Sequence, residues 1–467
     1  MKVLADVRPT PEQLPIIRRN TPGTVLIRGA AGSGKTTTAL LRLRSLISSW
    51  INRRERLEKK EQVCVLVLTF NRTLSGYIHE LAKGQIKDLD GLELDIFTFS
   101  KWAVNLLRKP SIVNDKERFN NIKQLGSNIS LDPDFIVDEV EYVIGRFLPE
   151  KLDDYLNCRR DGRGIFPRVD KNMRENIIND IIYPYNKWKL DMGKMDWNDL
   201  AVKLARIRIG HGYDVIISDE VQDFSANQIR AIKNQLKEDH SLTFVLDAAQ
   251  RIYPRGFTWI ETGLTIKSSD TYRLSKNYRN TVEIAQFAIS LIKDMKIEDD
   301  GTLPDLNSCE RNGPIPKVLK GKFSKQMEYV IQYIRKEVKF GQESIAFMHP
   351  MGGRWFREIE RCLNDDNLQY VHITKESEWP DGNESIALST LHSAKGLEFD
   401  YVFILGLNQE VTPHGKDERD DRLENLRRLM AMGICRARKS VVLGYKPEDA
   451  SSLISFLDPN TYKEICV

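Results

Sequence analysis

Paired cysteines, clustered metal ligands and long apolar runs are all missing from this chain, and each absence narrows what it can be. The six cysteines (Cys64, Cys158, Cys309, Cys362, Cys435 and Cys466) are scattered without a CxxC pair. That spacing argues against a disulfide frame or an iron–sulfur site and for reduced thiols, as in a cytoplasmic protein. The seven histidines form no HExxH arrangement. No stretch nears the roughly eighteen uninterrupted apolar residues of a membrane helix, and the opening "MKVLADVRPTPEQ" lacks the apolar centre of a signal peptide. A soluble, cytoplasmic chain with no membrane partner is the expectation. Internal repeats and low-complexity tracts are absent too. The formal net charge of +4 permits an anionic partner without demonstrating one.

What is present is a rhythm of short β-branched runs, each followed by a helical pattern. "TVLIRG" (24–29), "VCVLVLT" (63–69), "LDIFTF" (94–99), "DVIIS" (214–218) and "TFVLD" (243–247) form one series. "SIAFM" (344–348), "SIALST" (385–390), "YVFIL" (401–405) and "SVVLGY" (440–445) form another, after about residue 275. Apolar strands alternating with amphipathic helices predict an α/β protein with parallel sheets covered on both faces. At 467 residues the chain suits two or three domains. Residues 111–195 differ: "FIVDEVEYVIGRFL" and "MRENIINDIIYPYNKW" are helical in period, with Pro133 as a start and Pro184 as a break. This region reads as a helical insertion. Its loop "CRRDGRG" (158–164) suits either a solvated turn or a phosphate clasp made by Arg159, Arg160 and Arg163.

The sharpest motif is "GAAGSGKT", Gly29–Ala30–Ala31–Gly32–Ser33–Gly34–Lys35–Thr36, between a strand and a helix. Glycines let backbone N–H groups face phosphates, and the helix N-terminus adds its positive end. Lys35 would reach the β- and γ-phosphates and Thr36 would ligate Mg²⁺. In "DVIISDEVQD", Asp219 at a strand end is placed to bind the metal, and Glu220 to take a proton from attacking water. Two acids after a strand are common and a weak signal alone; paired with the glycine loop the signal becomes strong.

Further motifs follow in order: "LTFNRTL" (68–74), "FTFSKWA" (97–103), "VLDAAQRIY" (245–253), "LSKNYRN" (274–280), "LSTLHSAKGLEFD" (388–400) and "LRRLMAMGICRARK" (426–439). With the phosphate loop and the acid pair, this set resembles the UvrD/Rep-like (PcrA-like) superfamily 1 helicases across most of the chain. The resemblance implies two RecA-like P-loop domains, here 1–110 with 196–275 and then 276–467, with 111–195 inserted in the first. It implies ATP and Mg²⁺ in the cleft between them and 3′→5′ movement on single-stranded DNA. A tailed duplex or RNA is the alternative substrate, and a nucleic-acid sensor that regulates a partner is the alternative function. By resemblance, Gln13 reads adenine, Tyr278 stacks on it and Glu398 meets the ribose. Gln250 senses the γ-phosphate, and Arg279 and Arg436 contact it from the second lobe. An arginine delivered across a cleft fits phosphoryl transfer, where cations around the γ-phosphate carry the catalysis. Arg438 and Lys439, by contrast, suit a helix end or solvent.

Aromatics at strand ends are candidates for base stacking: Phe70, Trp102, Tyr253, Phe257 and Trp259. Each could instead be a core residue, for Phe70 and Trp102 at least as readily. His392 is a nucleic-acid or coupling candidate against a satisfied buried histidine. Three departures stand out. No large helical insertion lies between "NYRN" and "LSTLHSAKG"; Thr37 replaces the family's basic residue after "GKT"; Ala431 and Cys435 replace tyrosine and threonine in the last motif. No clustered acids and lysine suggest a fused nuclease; by analogy with other compact motors, a nuclease or other effector protein is a candidate partner.

Overall fold

A computed structural model of the chain describes residues 9–29, 33–69, 91–160, 167–246, 256–277, 279–293, 295, 309, 311–373, 384–412 and 421–467. Among these, the apolar runs form two parallel sheets. The first contains β1 (Gly23–Gly29), β2 (Val63–Thr69), β3 (Leu92–Thr98), β4 (Tyr213–Ser218), β5 (Leu236–Leu246) and β6 (Thr271–Leu274), in the order β3-β2-β4-β5-β1-β6. The second contains β7 (Lys317–Lys320), β8 (Ile345–His349), β9 (Tyr370–His372), β10 (Ile386–Thr390), β11 (Phe399–Ile404), β12 (Ala437–Tyr445) and β13 (Lys463–Cys466), in the order β13-β7-β12-β11-β8-β10-β9. Every pairing in both sheets is parallel.

The central strands are buried nearly throughout, as β2, β4 and β8 show, because helices cover both faces of a parallel sheet. This burial is why their sequences read as unbroken apolar runs. The expectation contained nine strands; β6, β7, β9 and β13 were not among them. Each has only three or four residues and is partly exposed, and all but β9 carry a charged residue, as "KEIC" does in β13. Three of the four lie at sheet edges, where one side of the ladder needs no apolar partner.

Residues 111–195 are helical and have their own apolar core, with Ile122, Val140, Tyr155, Ile181 and Tyr185 at its centre. Asp132 caps the helix Pro133–Arg146 by accepting from the N–H groups of Asp134 and Phe135, at 2.9 and 3.0 Å. Pro184 does not break its helix. A π-helical turn, Ile177–Ile182, lies directly before Tyr183–Asp191 and absorbs the missing N–H, so the helix continues. No described helix is long and apolar enough to cross a membrane.

Candidate nucleotide site between the two sheets

The site begins where β1 and β4 end on either side of β5. Both flank β5, in register at Leu26↔Phe244 and Ser218↔Phe244, so Gly29 and Asp219 emerge at the same edge. Carboxyl ends of parallel strands are where such folds bind ligands. Gly34 has φ 76°, a left-handed value that suits glycine, and immediately precedes the helix Lys35–Arg56. A Cβ on Gly34 would sit 2.7 Å from the Gln13 side chain, so the loop and the Gln13 segment are close-packed.

Lys35 Nζ donates to the Gly29 carbonyl at 2.8 Å, and Thr36 Oγ1 donates to Asp219 Oδ2 at 2.7 Å. The residues chosen for phosphate and metal are thus brought together across 183 positions of sequence. Ser33 Oγ is fully buried with no hydrogen-bond partner among the described residues, although the hydroxyl needs one. Hydroxyl and carboxylate oxygens at Thr36 and Asp219 form a hard-donor pair suited to Mg²⁺, and the unsatisfied Ser33 hydroxyl suits a phosphate oxygen. The residues present therefore fit an ATP–Mg²⁺ group. Ala30, Ala31 and Gly32 lie outside the described residues.

Glu220 occupies left-handed backbone at φ 55°, an uncommon state for a residue with a side chain. Its N–H donates to Asp219 Oδ1 at 2.8 Å. Burial and the neighbouring Glu220 charge push the Asp219 carboxyl up to about 6. Burial pushes Glu220 up as well, but Lys395, Arg436 and Lys35 outweigh it and hold that carboxyl below the ordinary glutamate value. Two of those cations belong to the second lobe. Lys395, only 1% exposed, lies 3.2 Å from Glu220 Oε2 and also pairs with the fully buried Asp223. Neither Lys395 nor Asp223 was singled out from the sequence, though both stand inside motifs that were. Their buried pairing across the cleft is visible only in three dimensions.

Arg436 is buried, donating from Nε to the Met432 carbonyl at 3.2 Å and from Nη1 to the Leu397 carbonyl at 3.4 Å. Ala431 and Cys435 are also buried, and the turn is held another way: Asn280 Nδ2 donates to the Cys435 and Ala437 carbonyls at 3.0 and 2.6 Å. The same asparagine belongs to "NYRN", so Arg279 and Arg436 are tied to one scaffold. Arg279 pairs with Glu398, and its Nε is buried with no hydrogen-bond partner among the described residues. Burial pushes the Glu398 carboxyl up, while Arg279, Arg438 and Arg436 hold it below its ordinary range. Lys439 is not left to solvent: it pairs with Glu343 and lies 3.6 Å from Asp400. Gln13 is buried, with Nε2 3.5 Å from the Gly34 carbonyl. Thr37 is half-buried beside the loop. Gln250 and Tyr278 lie outside the described residues.

The stacking candidates divide. Trp102 is corrected: at 1% exposure it is a core residue, its Nε1 donating to Tyr213 Oη at 3.1 Å and its ring edge-on to Phe99. The helix Phe99–Leu106 turns its apolar side inward and takes Trp102 with it. Trp259 is half-buried and stacks one face on Phe244, with centroids 5.4 Å apart; Phe257 meets it edge-on. His392 is exposed, against the buried alternative. Phe70 and Tyr253 lie outside the described residues. In the basic loop, Arg160 turns inward to pair with the buried Glu139 at 2.7 Å, which removes it from a phosphate clasp; Arg163 is not among the described residues.

Two helicase family models match the chain. Residues 10–257 match the UvrD/REP helicase N-terminal domain and residues 358–448 the UvrD-like helicase C-terminal domain. A probable DNA helicase of Mycoplasma pneumoniae is 21% identical over 454 residues, covering 90% of this chain and 80% of that protein. The ATP-dependent DNA helicase Rep of Buchnera aphidicola (Schizaphis graminum) is 47% identical over 60 residues, 13% of this chain and 9% of Rep. PcrA of Bacillus subtilis is 40% identical over 72 residues, 15% of this chain and 10% of PcrA. The matched stretches thus span about a tenth of Rep and PcrA. Since the UvrD/REP helicase N-terminal domain matches residues 10–257, more than half of the chain, the chain belongs to the UvrD/Rep family of superfamily 1 DNA helicases.

Proposed function

We propose that this protein hydrolyses ATP between its two sheets and uses the cycle to move 3′→5′ along single-stranded DNA. The observation that carries the proposal is the placement of Lys395 and Arg436, from the second lobe, against Glu220 of the first. A base whose charge environment comes from the opposite lobe works differently when the lobes separate, which is what a motor requires.

In this reading Thr36 and Asp219 hold Mg²⁺, which when bound neutralises charge on the β- and γ-phosphates. Lys35 exchanges the Gly29 carbonyl for a phosphate oxygen. Glu220 accepts the proton of the attacking water, while Arg436 and Arg279 approach the γ-phosphate from the other side. For Arg279 that means leaving Glu398, which is then available to a ribose hydroxyl. An arginine supplied this way is worth roughly 10³–10⁵ in rate. Loss of the γ-phosphate removes the anion that both lobes share, so the closed state loses its advantage.

A second reading is an ATP-gated sensor that grips nucleic acid and switches a companion protein, such as a nuclease, without unwinding. It is favoured by the span 281–385, whose described residues hold β7, β8, β9 and the helices Val282–Ser290, Phe323–Glu337 and Arg354–Asp365. The test is ATPase rate with single-stranded DNA, with RNA and without either, alongside displacement of 3′- and 5′-tailed duplexes. DNA-stimulated hydrolysis with displacement only from the 3′ tail is expected. Stimulation without displacement would favour the sensor, and stimulation by RNA alone would overturn the DNA assignment.

A further inference from the structure

The residues just before the short helix Leu14–Arg18 reach two distant parts of the site: Gln13 the phosphate loop, and Glu12 the segment that leads into the second lobe. Glu12 Oε1 accepts from the Ser275 N–H at 2.9 Å and the Ser275 hydroxyl at 2.7 Å; Glu12 Oε2 is 3.5 Å from the Lys276 N–H. These partners are more than 260 positions away. They follow β6 directly and lead into Asn277, whose Oδ1 accepts from the N–H groups of Arg279 and Asn280 at 3.1 and 3.0 Å. Asn280 in turn binds the carbonyls on either side of Arg436. On its other side, Gln13 Oε1 accepts from the Thr10 N–H at 3.0 Å, and its Nε2 approaches the phosphate-loop carbonyl of Gly34. The helix itself is anchored from below by the buried Arg42, which donates to the Ile16 carbonyl at 2.8 Å and to Thr243 Oγ1 at 3.1 Å.

We propose that Glu12 is a positioning residue that transmits occupancy of the base-binding end of the nucleotide site to the segment carrying Arg279, so that hydrolysis depends on which base is bound. The inference rests on the reading of this cleft as an ATP site with Gln13 at the base. Its physical content is a continuous run of short contacts. A base that engages Gln13 fixes the adjacent Glu12, and a fixed carboxylate holds the 275–276 backbone. That backbone sets where Asn277, Arg279 and Asn280 stand. A base that leaves Gln13 idle leaves the clasp looser and the arginines less well placed. Displacements of about 1 Å in a catalytic arrangement cost up to about a hundredfold.

The test is steady-state hydrolysis of ATP and GTP by the whole chain and by Glu12→Ala, Glu12→Gln and Lys35→Ala. Glu12→Ala should lower kcat for ATP about ten- to a hundredfold with little change in KM, and should shrink the ATP-to-GTP ratio of kcat towards one. Glu12→Gln keeps an oxygen that accepts from Ser275 and should recover most of the loss; a merely structural glutamate would lower activity on both nucleotides equally. Unchanged kcat and base preference in Glu12→Ala, with Lys35→Ala inactive, would overturn the proposal and leave the ATP site standing. Full activity in Lys35→Ala would overturn the site reading itself.

Discussion

Lys395 offers the most demanding test of the inter-lobe arrangement. Its ammonium is 1% exposed and faces two carboxylates, Glu220 at 3.2 Å and Asp223, itself fully buried. Lys395→Met keeps the length and apolar stem of the side chain but removes its charge, leaving two buried acids without that cation. Removing one member of a buried pair costs about 3–5 kcal/mol, because burial keeps water from taking the place of the lost partner. Here the loss falls on the contact between lobes. Two consequences are expected in Lys395→Met: a melting transition lower by several degrees, and a large fall in ATPase rate. Adding Asp223→Asn to Lys395→Met removes one of the two carboxylate charges that the lysine faces, so the double variant should regain part of the lost stability. Thermal unfolding followed by circular dichroism reads the first effect and a coupled phosphate-release assay the second. A Lys395→Met protein that melts and turns over like the parent would refute the claim that this lysine joins the lobes at the catalytic acid. A double variant less stable than the single would refute the charge argument.

Lys35→Ala and Glu220→Gln should each abolish turnover while leaving DNA binding, measured by fluorescence anisotropy, largely intact; normal hydrolysis in either removes that residue from the site. Arg436→Ala should slow hydrolysis by roughly 10³–10⁵, and a normal rate would return Arg436 to a structural role. Trp102→Ala should cost about 3–5 kcal/mol of stability, as deletion of a buried tryptophan does, without a selective loss of DNA affinity at temperatures where it stays folded. Burial lowers the His349 imidazole to about 4, and its ring stacks on Trp355 at 4.9 Å. An unfolded histidine titrates near 6.5, so the unfolded chain binds the extra proton first as pH falls. The stability from the neutral ring is therefore complete above about pH 6.5 and lost between there and about pH 4, at up to about 1.4 kcal/mol per unit. Denaturation midpoints at pH 7 and 5 should fall less in His349→Asn than in the parent; equal falls would refute this.

Legibility of the fold followed burial. β2 (Val63–Thr69) matches its expected bounds because a strand covered on both faces has to be apolar throughout. β13 could not be read, since "KEIC" takes its structure from pairing with β7 rather than from its own pattern. Pro184 misled because the rule for proline assumes α-helical spacing, and the π turn before it changes that spacing. Trp102 was open to both a stacking and a core reading; it lies on the helix that follows β3, and only its packing against Phe99 and Tyr213 decides for the core.

The local chemistry of the site was determined by the sequence alone. A glycine loop between strand and helix, and an acid pair after a strand, need only neighbouring residues to take up their geometry, so their spacing is diagnostic. What acts across distance was decided by the tertiary structure. Lys395 meets Glu220 and Asp223, Glu12 meets Ser275, and Asn280 holds the turn around Arg436. Each such contact joins residues more than a hundred positions apart, and a buried charge or amide takes whatever partner the folded chain brings to it. Composition and spacing carry no record of that choice, because the cost of leaving a polar group unpaired arises only once burial has removed water.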